Sequence, residues 1–170
     1  MTLYNLYTKA AYPNRISLGV VQQNLDYDID CLEAYCKMLL LLKERNIQEF
    51  DRLSLLSSDK ECPFRNQITM DRVSAHESKG PTWARARGSL MLKDEEFCMQ
   101  IDSHMDFVGK WEVKMMNMWA LTNNEYGILS TYVAATSQLK FNEDGGKGIK
   151  IHHHYNYYNY YCYDYCNIII

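Results

Sequence analysis

Apolar and polar positions alternate along the chain in a pattern that predicts short buried strands separated by helices. The predicted strands cover residues 15–21, 66–73, 96–102 and 126–134. Helical spacing is found from residue 3 to about 11, from Asp30 to about Glu44, from 79 to about 93, and from 109 to about 121. Residues 50–64 are polar and irregular, which predicts a loop with a short turn. Strands that alternate with helices predict an α/β fold with a mostly parallel sheet.

The helix predicted after Asp30 has a start signal, because an aspartate can cap the first turn and Glu33 follows three residues later. The helix predicted near residue 115 has a stripe of Met and Trp side chains. Such a stripe at helical spacing predicts core packing rather than a cofactor site. Its members are Trp111, Met115, Met118 and Trp119.

The third predicted strand ends in an Asp-x-His pair, Asp102 and His104. Side chains two apart on a strand point to the same face, so the carboxylate and the imidazole would lie together. One oxygen and one nitrogen ligand at the carboxyl end of a strand form a plausible half-site for Mn²⁺ or a similar divalent ion. The alternative is a solvated turn, since Asp-x-His is common by chance.

Composition disfavours some classes of function. The 170 residues are 47% hydrophobic, enough for the core of a single domain, and the net charge is −3. Nucleic-acid binding and polybasic membrane attachment both need a cationic face, so both are disfavoured. The longest aliphatic run, residues 38–42, is too short to cross a bilayer, and no charged-then-apolar leader pattern is present at the start.

The six cysteines contain no Cys-x-x-Cys pair, so we expect no disulfide framework and favour a reducing compartment. Cys98, in the third predicted strand, is expected to be a small buried apolar residue. The other five are Cys31, Cys36, Cys62, Cys162 and Cys166.

The chain divides into a domain, residues 1–144, and a low-complexity tail rich in Tyr, His and Asn, residues 145–170. We interpret the tail as translated repeat DNA rather than as a segment that evolved to fold. The alternatives are a His-rich metal site or a β-prone assembly segment.

Four stretches, in order from about residue 3 to 133, resemble the polypeptide N-acetylglucosaminyltransferases of glycosyltransferase family 60. They are RISLGVVQQN (15–24), DCLEAYC (30–36) with CPFR (62–65), SKGPTWAR (78–85), and EFCMQIDSHMDF (96–107) with NNEYGILSTY (123–132).

The resemblance implies a GT-A-like nucleotide-sugar-binding sheet with flanking helices, a UDP-GlcNAc donor and a divalent cation such as Mn²⁺. It makes Asp102 and His104 the metal and donor-phosphate residues, and Arg85 a donor-nucleotide residue. Arg87 matches the family less consistently. The implied acceptor is a polypeptide hydroxyl, of hydroxyproline or of Thr/Ser, with retention at the anomeric carbon. Relatives occur in the cytoplasm and in the secretory pathway, and the cytoplasm is slightly favoured over the Golgi here.

The resemblance also implies a strand and nucleotide loop before residue 3 that this sequence lacks, and further acceptor and metal residues after residue 133. We therefore expect an incomplete copy without its first, central strand. The alternatives are an inactive fragment, or a transferase that uses another UDP-sugar such as UDP-galactose or UDP-GalNAc.

Several polar residues near these motifs are open to two interpretations. The amide side chains at the end of the first predicted strand would either recognise the uracil base or cap a turn. They belong to Gln22, Gln23 and Asn24. His76 and Glu77 would contact donor or acceptor, although a solvated loop is favoured. Asp106 would support the metal site, but relatives often have a basic residue there, so it is not counted as a site residue.

Overall fold

The structure is a computed structural model that describes residues 2–130, 140–141, 147–148 and 167–169. The helices are Thr2–Thr8 (α1), Cys31–Glu44 (α2), Gln48–Leu56 (α3), Pro81–Ser89 (α4) and Trp111–Leu121 (α5). The strands are Leu18–Asn24 (β1), Ile68–Ser74 (β2), Gln100–Asp102 (β3), Lys140–Phe141 (β4), Lys147–Gly148 (β5) and Asn167–Ile169 (β6). Short 3₁₀ helices cover Pro13–Arg15, Arg65–Gln67 and Ala75–Glu77.

The main sheet has four strands in the order β2-β1-β6-β3. Strands β1 and β2 are parallel over their full length, with Leu18 opposite Ile68 and Asn24 opposite Ser74. Strand β6 is antiparallel to both of its neighbours, so β1, β2 and β3 run in the same direction. Strands β4 and β5 form a separate antiparallel pair. Helices and a small parallel sheet make this an α/β protein, as the sequence predicted.

The core lies where α1, α2 and α3 pack with β1. The Tyr7 and Phe64 rings stack with their centroids 4.8 Å apart, and both side chains are fully buried. The Tyr35 hydroxyl donates to the carbonyl oxygen of Pro63 at 2.7 Å, which fixes the chain after α3 against α2. Burial, and to a smaller extent the neighbouring Tyr35, raises the pKa of Tyr7 well above its usual value.

The start of α2 confirms the capping signal. Asp30 Oδ1 accepts from the amides of Leu32 and Glu33, at 2.9 and 3.0 Å. The other oxygen, Oδ2, pairs with Arg72 on β2, so one carboxylate joins the helix start to the sheet. Partial burial raises the pKa of Asp30. The hydrogen bonds from Arg72 and from the two backbone amides outweigh this effect, so the pKa lies below its usual value.

The loop predicted over residues 50–64 is wrong in its first half. Helix α3 begins at Gln48 and ends at Leu56. Phe50 and Leu53, three residues apart, are buried, whereas Leu55 is exposed. A one-sided apolar stripe supports a short helix through tertiary packing even when most of its residues are polar.

None of the four predicted strands has the predicted limits, although β2, at Ile68–Ser74, differs from its prediction by two residues at most. Strand β1 is shifted to residues 18–24, so it includes Gln22 and Gln23, which are buried. Strand β3 has only three residues, and it is not buried, because Gln100 and Asp102 are exposed. Residues 126–130 form no strand, and residues 131–134 of that prediction lie outside the described residues.

The helix boundaries and the Met and Trp stripe also need correction. Helix α4 ends at Ser89 rather than near residue 93. In α5 Trp111 is the one fully buried member of the stripe, and its indole Nε1 donates to the carbonyl oxygen of Leu6 at 2.9 Å. Met118 is about half exposed. The stripe is therefore only partly a core face within the described chain.

The cysteine prediction is wrong. Cys36 on α2 and Cys62 form a disulfide, with their Cα atoms 5.1 Å apart. The hydrogen bond between Tyr35 and Pro63 holds these neighbouring residues together, a contact between distant positions that spacing does not reveal. Cys98 is exposed and outside any strand, contrary to the expected buried position. The disulfide removes the reason for favouring a reducing compartment.

Most of the low-complexity tail, with its His run and with Cys162 and Cys166, lies outside the described residues. The domain boundary at residue 144 stays a prediction. Within the described part of the chain, no helix has both the length and the apolar character that a membrane span requires.

Candidate functional site

The candidate site lies at the carboxyl end of β3. Asp102 is the last residue of the strand, and Ser103 and His104 follow in a turn. Thr2 Oγ1, in the first turn of α1, donates to the carbonyl oxygens of Ser103 and Met105, at 2.5 and 2.9 Å. The start of α1 therefore holds the turn in which His104 lies. The side chains of Asp102 and His104 are both exposed.

The strand geometry used to pair Asp102 with His104 does not apply. Because β3 ends at Asp102, the alternation of side chains along a strand says nothing about His104 in the turn that follows. The two residues still lie near each other, because they are separated by one residue at the same edge of the sheet. Their assignment as metal ligands stays a prediction.

Arg85 approaches Asp102 from a different element. Its guanidinium Nη2, on α4, lies 3.6 Å from Asp102 Oδ1. The two side chains are 47% and 57% exposed, so water screens the pair and it contributes little to stability. The fold thus brings together two of the three residues that the sequence singled out, at an edge that solvent can reach.

Arg87 has a different environment from Arg85, although the two are separated by one residue. Arg87 Nε and Nη2 donate to Asp71 Oδ2 and Oδ1, at 2.6 and 2.8 Å, in a bidentate pair with β2. Its guanidinium also lies over the Trp83 ring, 5.0 Å from the centroid. The hydrogen bonds from Arg87 lower the pKa of Asp71 below its usual value. Arg87 therefore fastens α4 to the sheet.

The amides that end β1 serve the turn that follows them. Gln22 is buried, donates from Nε2 to the carbonyl oxygen of Ile29 at 3.1 Å, and accepts at Oε1 from the Cys31 amide at 2.9 Å. Asn24 Nδ2 donates to the same Ile29 carbonyl at 3.2 Å. Of the two interpretations, turn capping describes Gln22 and Asn24.

The remaining candidates lie nearby with separate roles. His76 and Glu77 are exposed in the 3₁₀ helix after β2, which agrees with the favoured solvated loop. Asp106 Oδ1 accepts from Lys9 Nζ at 2.5 Å, and this ion pair joins the turn after β3 to the end of α1. Thr2 and Lys9 anchor this turn, and no motif predicted either of them, because a contact across about a hundred residues leaves no local signal.

Asp102 and His104 supply a carboxylate oxygen and an imidazole nitrogen, a donor set that suits Mn²⁺. Among the described residues no cluster of three or more His, Cys, Asp or Glu side chains could hold a metal ion. The two residues alone would supply only part of a metal's coordination, and phosphate oxygens and water would have to complete it. A cavity of about 500 Å³ at the end of α5 is lined by other residues, among them Trp119 and Tyr126.

The fold and this edge define an α/β protein with acidic and basic side chains gathered where its parallel strands end. The model of the glycosyltransferase (GlcNAc) family matches residues 1–144, and the chain belongs to this family. Neither a curated protein nor a solved structure matches the chain. Family membership indicates a glycosyltransferase-like function, with a nucleotide-sugar donor and an acceptor.

Proposed function

We propose that this chain is built to transfer GlcNAc from UDP-GlcNAc to a polypeptide hydroxyl, with a GT-A-like arrangement of the sheet and a divalent cation at Asp102 and His104. Family membership supports the class of reaction and the donor sugar. The position of Asp102, His104 and Arg85 at the carboxyl edge of the sheet supports the site, because α/β sheets bind ligands at this edge.

The reaction breaks the bond between sugar C1 and a diphosphate oxygen, forms a bond from C1 to the acceptor oxygen, and releases UDP. Negative charge grows on the leaving diphosphate as the first bond breaks. A bound divalent cation neutralises this charge. Asp102 and His104 would hold the cation through one oxygen and one nitrogen, and Arg85 would donate to a phosphate oxygen through its planar guanidinium.

The observation that carries the proposal is the ion pair between Arg85 and Asp102. The two residues come from α4 and β3, and the pair is exposed and easily broken. A nucleotide diphosphate would offer Arg85 a stronger anionic partner, while the released Asp102 carboxylate would accept a cation. Both changes would favour binding of a metal–diphosphate complex over either component alone.

The first test is UDP binding by titration calorimetry, with Mn²⁺ and with EDTA. We expect saturable binding that needs Mn²⁺, and at least about a tenfold loss of affinity in Asp102→Asn, since even residues that only orient metal ligands are worth that much. The matched control is Asp51→Asn, an exposed carboxylate on α3, which should bind like the parent. Unchanged binding in Asp102→Asn would refute the metal assignment.

A second measurement addresses the donor and the acceptor. UDP-GlcNAc should compete for the UDP site better than UDP-GalNAc or UDP-galactose, and labelled GlcNAc should appear on peptides with hydroxyproline, Thr or Ser. Preference for another UDP-sugar would contradict the donor assignment. Mn²⁺-dependent binding without transfer would identify a non-catalytic member of the family.

A further inference from the structure

Strand β6 holds the main sheet together. It lies between β1 and β3, which do not pair with each other, and it pairs with both through Ile168, opposite Val20 on one side and Ile101 on the other. Helix α4 lies against β6 and β1. The space between β1 and β3, here called the strand slot, is therefore one strand wide and offers backbone donors and acceptors on both sides.

The contact between β6 and the slot is small. Strand β1 has seven residues, but only Gly19–Val21 pair with β6. A three-residue strand is at the short end of the observed range. Backbone pairing of this kind is available to any segment in the same register, and short elements with few contacts open locally at low free-energy cost.

The connection to β6 is long. Residues 131–166 join it to the end of the described domain. At about 3.3 Å per residue, the covalent reach of this segment is on the order of 100 Å. A compact domain of this size is only about 35 Å across. The same β6 can therefore reach a slot in its own chain or in a neighbouring copy.

We propose that the strand slot binds β6 of a second copy of this chain, which gives a strand-exchanged dimer. The partner is a second copy because an identical segment reproduces every backbone bond that β6 makes within one chain. The closed monomer and the exchanged dimer then differ in free energy mainly through the entropy of association. Chain concentration therefore sets the fraction of each. Exchange would also bring Asn167 of the second copy into register with Asp102, at the edge of the candidate site.

The test uses the register between Val21 and Asn167. Directly opposed residues on antiparallel strands have Cα atoms about 4.5–5.5 Å apart, within the range that a disulfide spans. A ¹⁵N-labelled Val21→Cys chain is mixed with an unlabelled Asn167→Cys chain, oxidised, digested and analysed by mass spectrometry. Both chains carry Cys162→Ser and Cys166→Ser, and fragmentation of the linked peptides distinguishes position 21 from the native cysteines at positions 31 and 36. Leu55→Cys, on exposed α3, replaces Val21→Cys in the control.

We expect the mixed-isotope link between positions 21 and 167, with a yield that rises about tenfold for a tenfold increase in concentration at low conversion. The Leu55→Cys control should give no such link. The double variant Val21→Cys/Asn167→Cys tests pairing within one chain. If the double variant links and the mixed chains do not, exchange is refuted. If neither links, β6 does not occupy the slot and the proposal also fails.

Discussion

At the scale of single residues, Arg85 and Arg87 show how the same side chain acquires two roles on one helix. Arg87 is held by both oxygens of Asp71 and by the Trp83 ring. Arg85 has a longer, exposed contact with Asp102. A side chain fixed by a bidentate pair is unavailable to a ligand, whereas a loosely paired guanidinium can change partner. Of the two, Arg85 therefore has the guanidinium that can change partner, as the proposed phosphate contact requires.

The Asp71–Arg87 pair predicts a pH-dependent stability. The pKa of Asp71 is lowered in the folded chain, so its contribution to stability is present above the usual value of 3.8 and is lost as pH falls through the lowered value. We expect Asp71→Asn to lower the melting temperature at neutral pH, and the difference from the parent to shrink in strong acid. Melting curves measured between neutral pH and about pH 2 check this.

The control for that series is Asp51→Asn, whose carboxylate is exposed on α3. It should shift the melting temperature little at any pH. A difference between Asp71→Asn and the parent that stayed constant across the series would mean that the ionised pair does not stabilise the fold.

At the scale of elements, α3 depends on tertiary packing. Most of its side chains are polar, yet Phe50 and Leu53 are buried against the core that contains Tyr7 and Leu39. Short helices are marginal in water, so this buried stripe stabilises the helix more than local propensity does. The sequence pattern predicted a loop because the four apolar positions of this segment, two buried and two exposed, give only a weak periodic signal.

Two leucines of α3 test this account. Leu53 is 0% exposed and Leu55 is 81% exposed. We expect Leu53→Ala to lower the free energy of unfolding by about 2–5 kcal/mol, through lost burial and the cavity left behind. Leu55→Ala should change it by less than about 0.5 kcal/mol. Urea denaturation followed by circular dichroism measures both, and equal effects would show that α3 does not pack as described.

At the scale of the whole molecule, contacts between distant positions bring the elements together. Thr2 and Lys9 join α1 to the turn after β3, and the Cys36–Cys62 disulfide joins α2 to the segment before β2. The link from Thr2 to Ser103 joins positions 101 residues apart within the family-matched region. The candidate site therefore depends on residues that have no direct part in its chemistry.

The disulfide gives a prediction at this scale. It joins residues 26 apart, and closing a loop of that size stabilises a fold by about 3 kcal/mol through the entropy of the unfolded chain. We expect Cys36→Ser, or reduction of the parent, to lower the free energy of unfolding by roughly that amount. Cys98→Ser, at an exposed free cysteine, is the matched control.

Thiol labelling of the native chain provides an independent check. A thiol reagent should modify Cys98 and leave Cys36 and Cys62 unmodified until a reductant is added. Rapid labelling of Cys36 without reductant, together with no loss of stability in Cys36→Ser, would contradict the pairing.

The sequence alone determined what depends on local order. Apolar runs gave β1 and β2 to within a few residues, the Asp30 cap gave the start of α2, and the alternation of elements gave the α/β class. The four motifs gave the family. Each of these signals lies within one short segment, where side-chain period and capping act directly on the backbone.

Tertiary structure decided which distant residues meet. It paired Cys36 with Cys62, turned Gln22 towards the loop after β1, separated Arg85 from Arg87, and put β6 between β1 and β3. Each of these outcomes depends on contacts between segments far apart in the chain, whose free energy no local pattern encodes. The sequence thus singled out Asp102, His104 and Arg85 as candidates, and the fold brought Arg85 to Asp102 because α4 packs against β6, which pairs with β3.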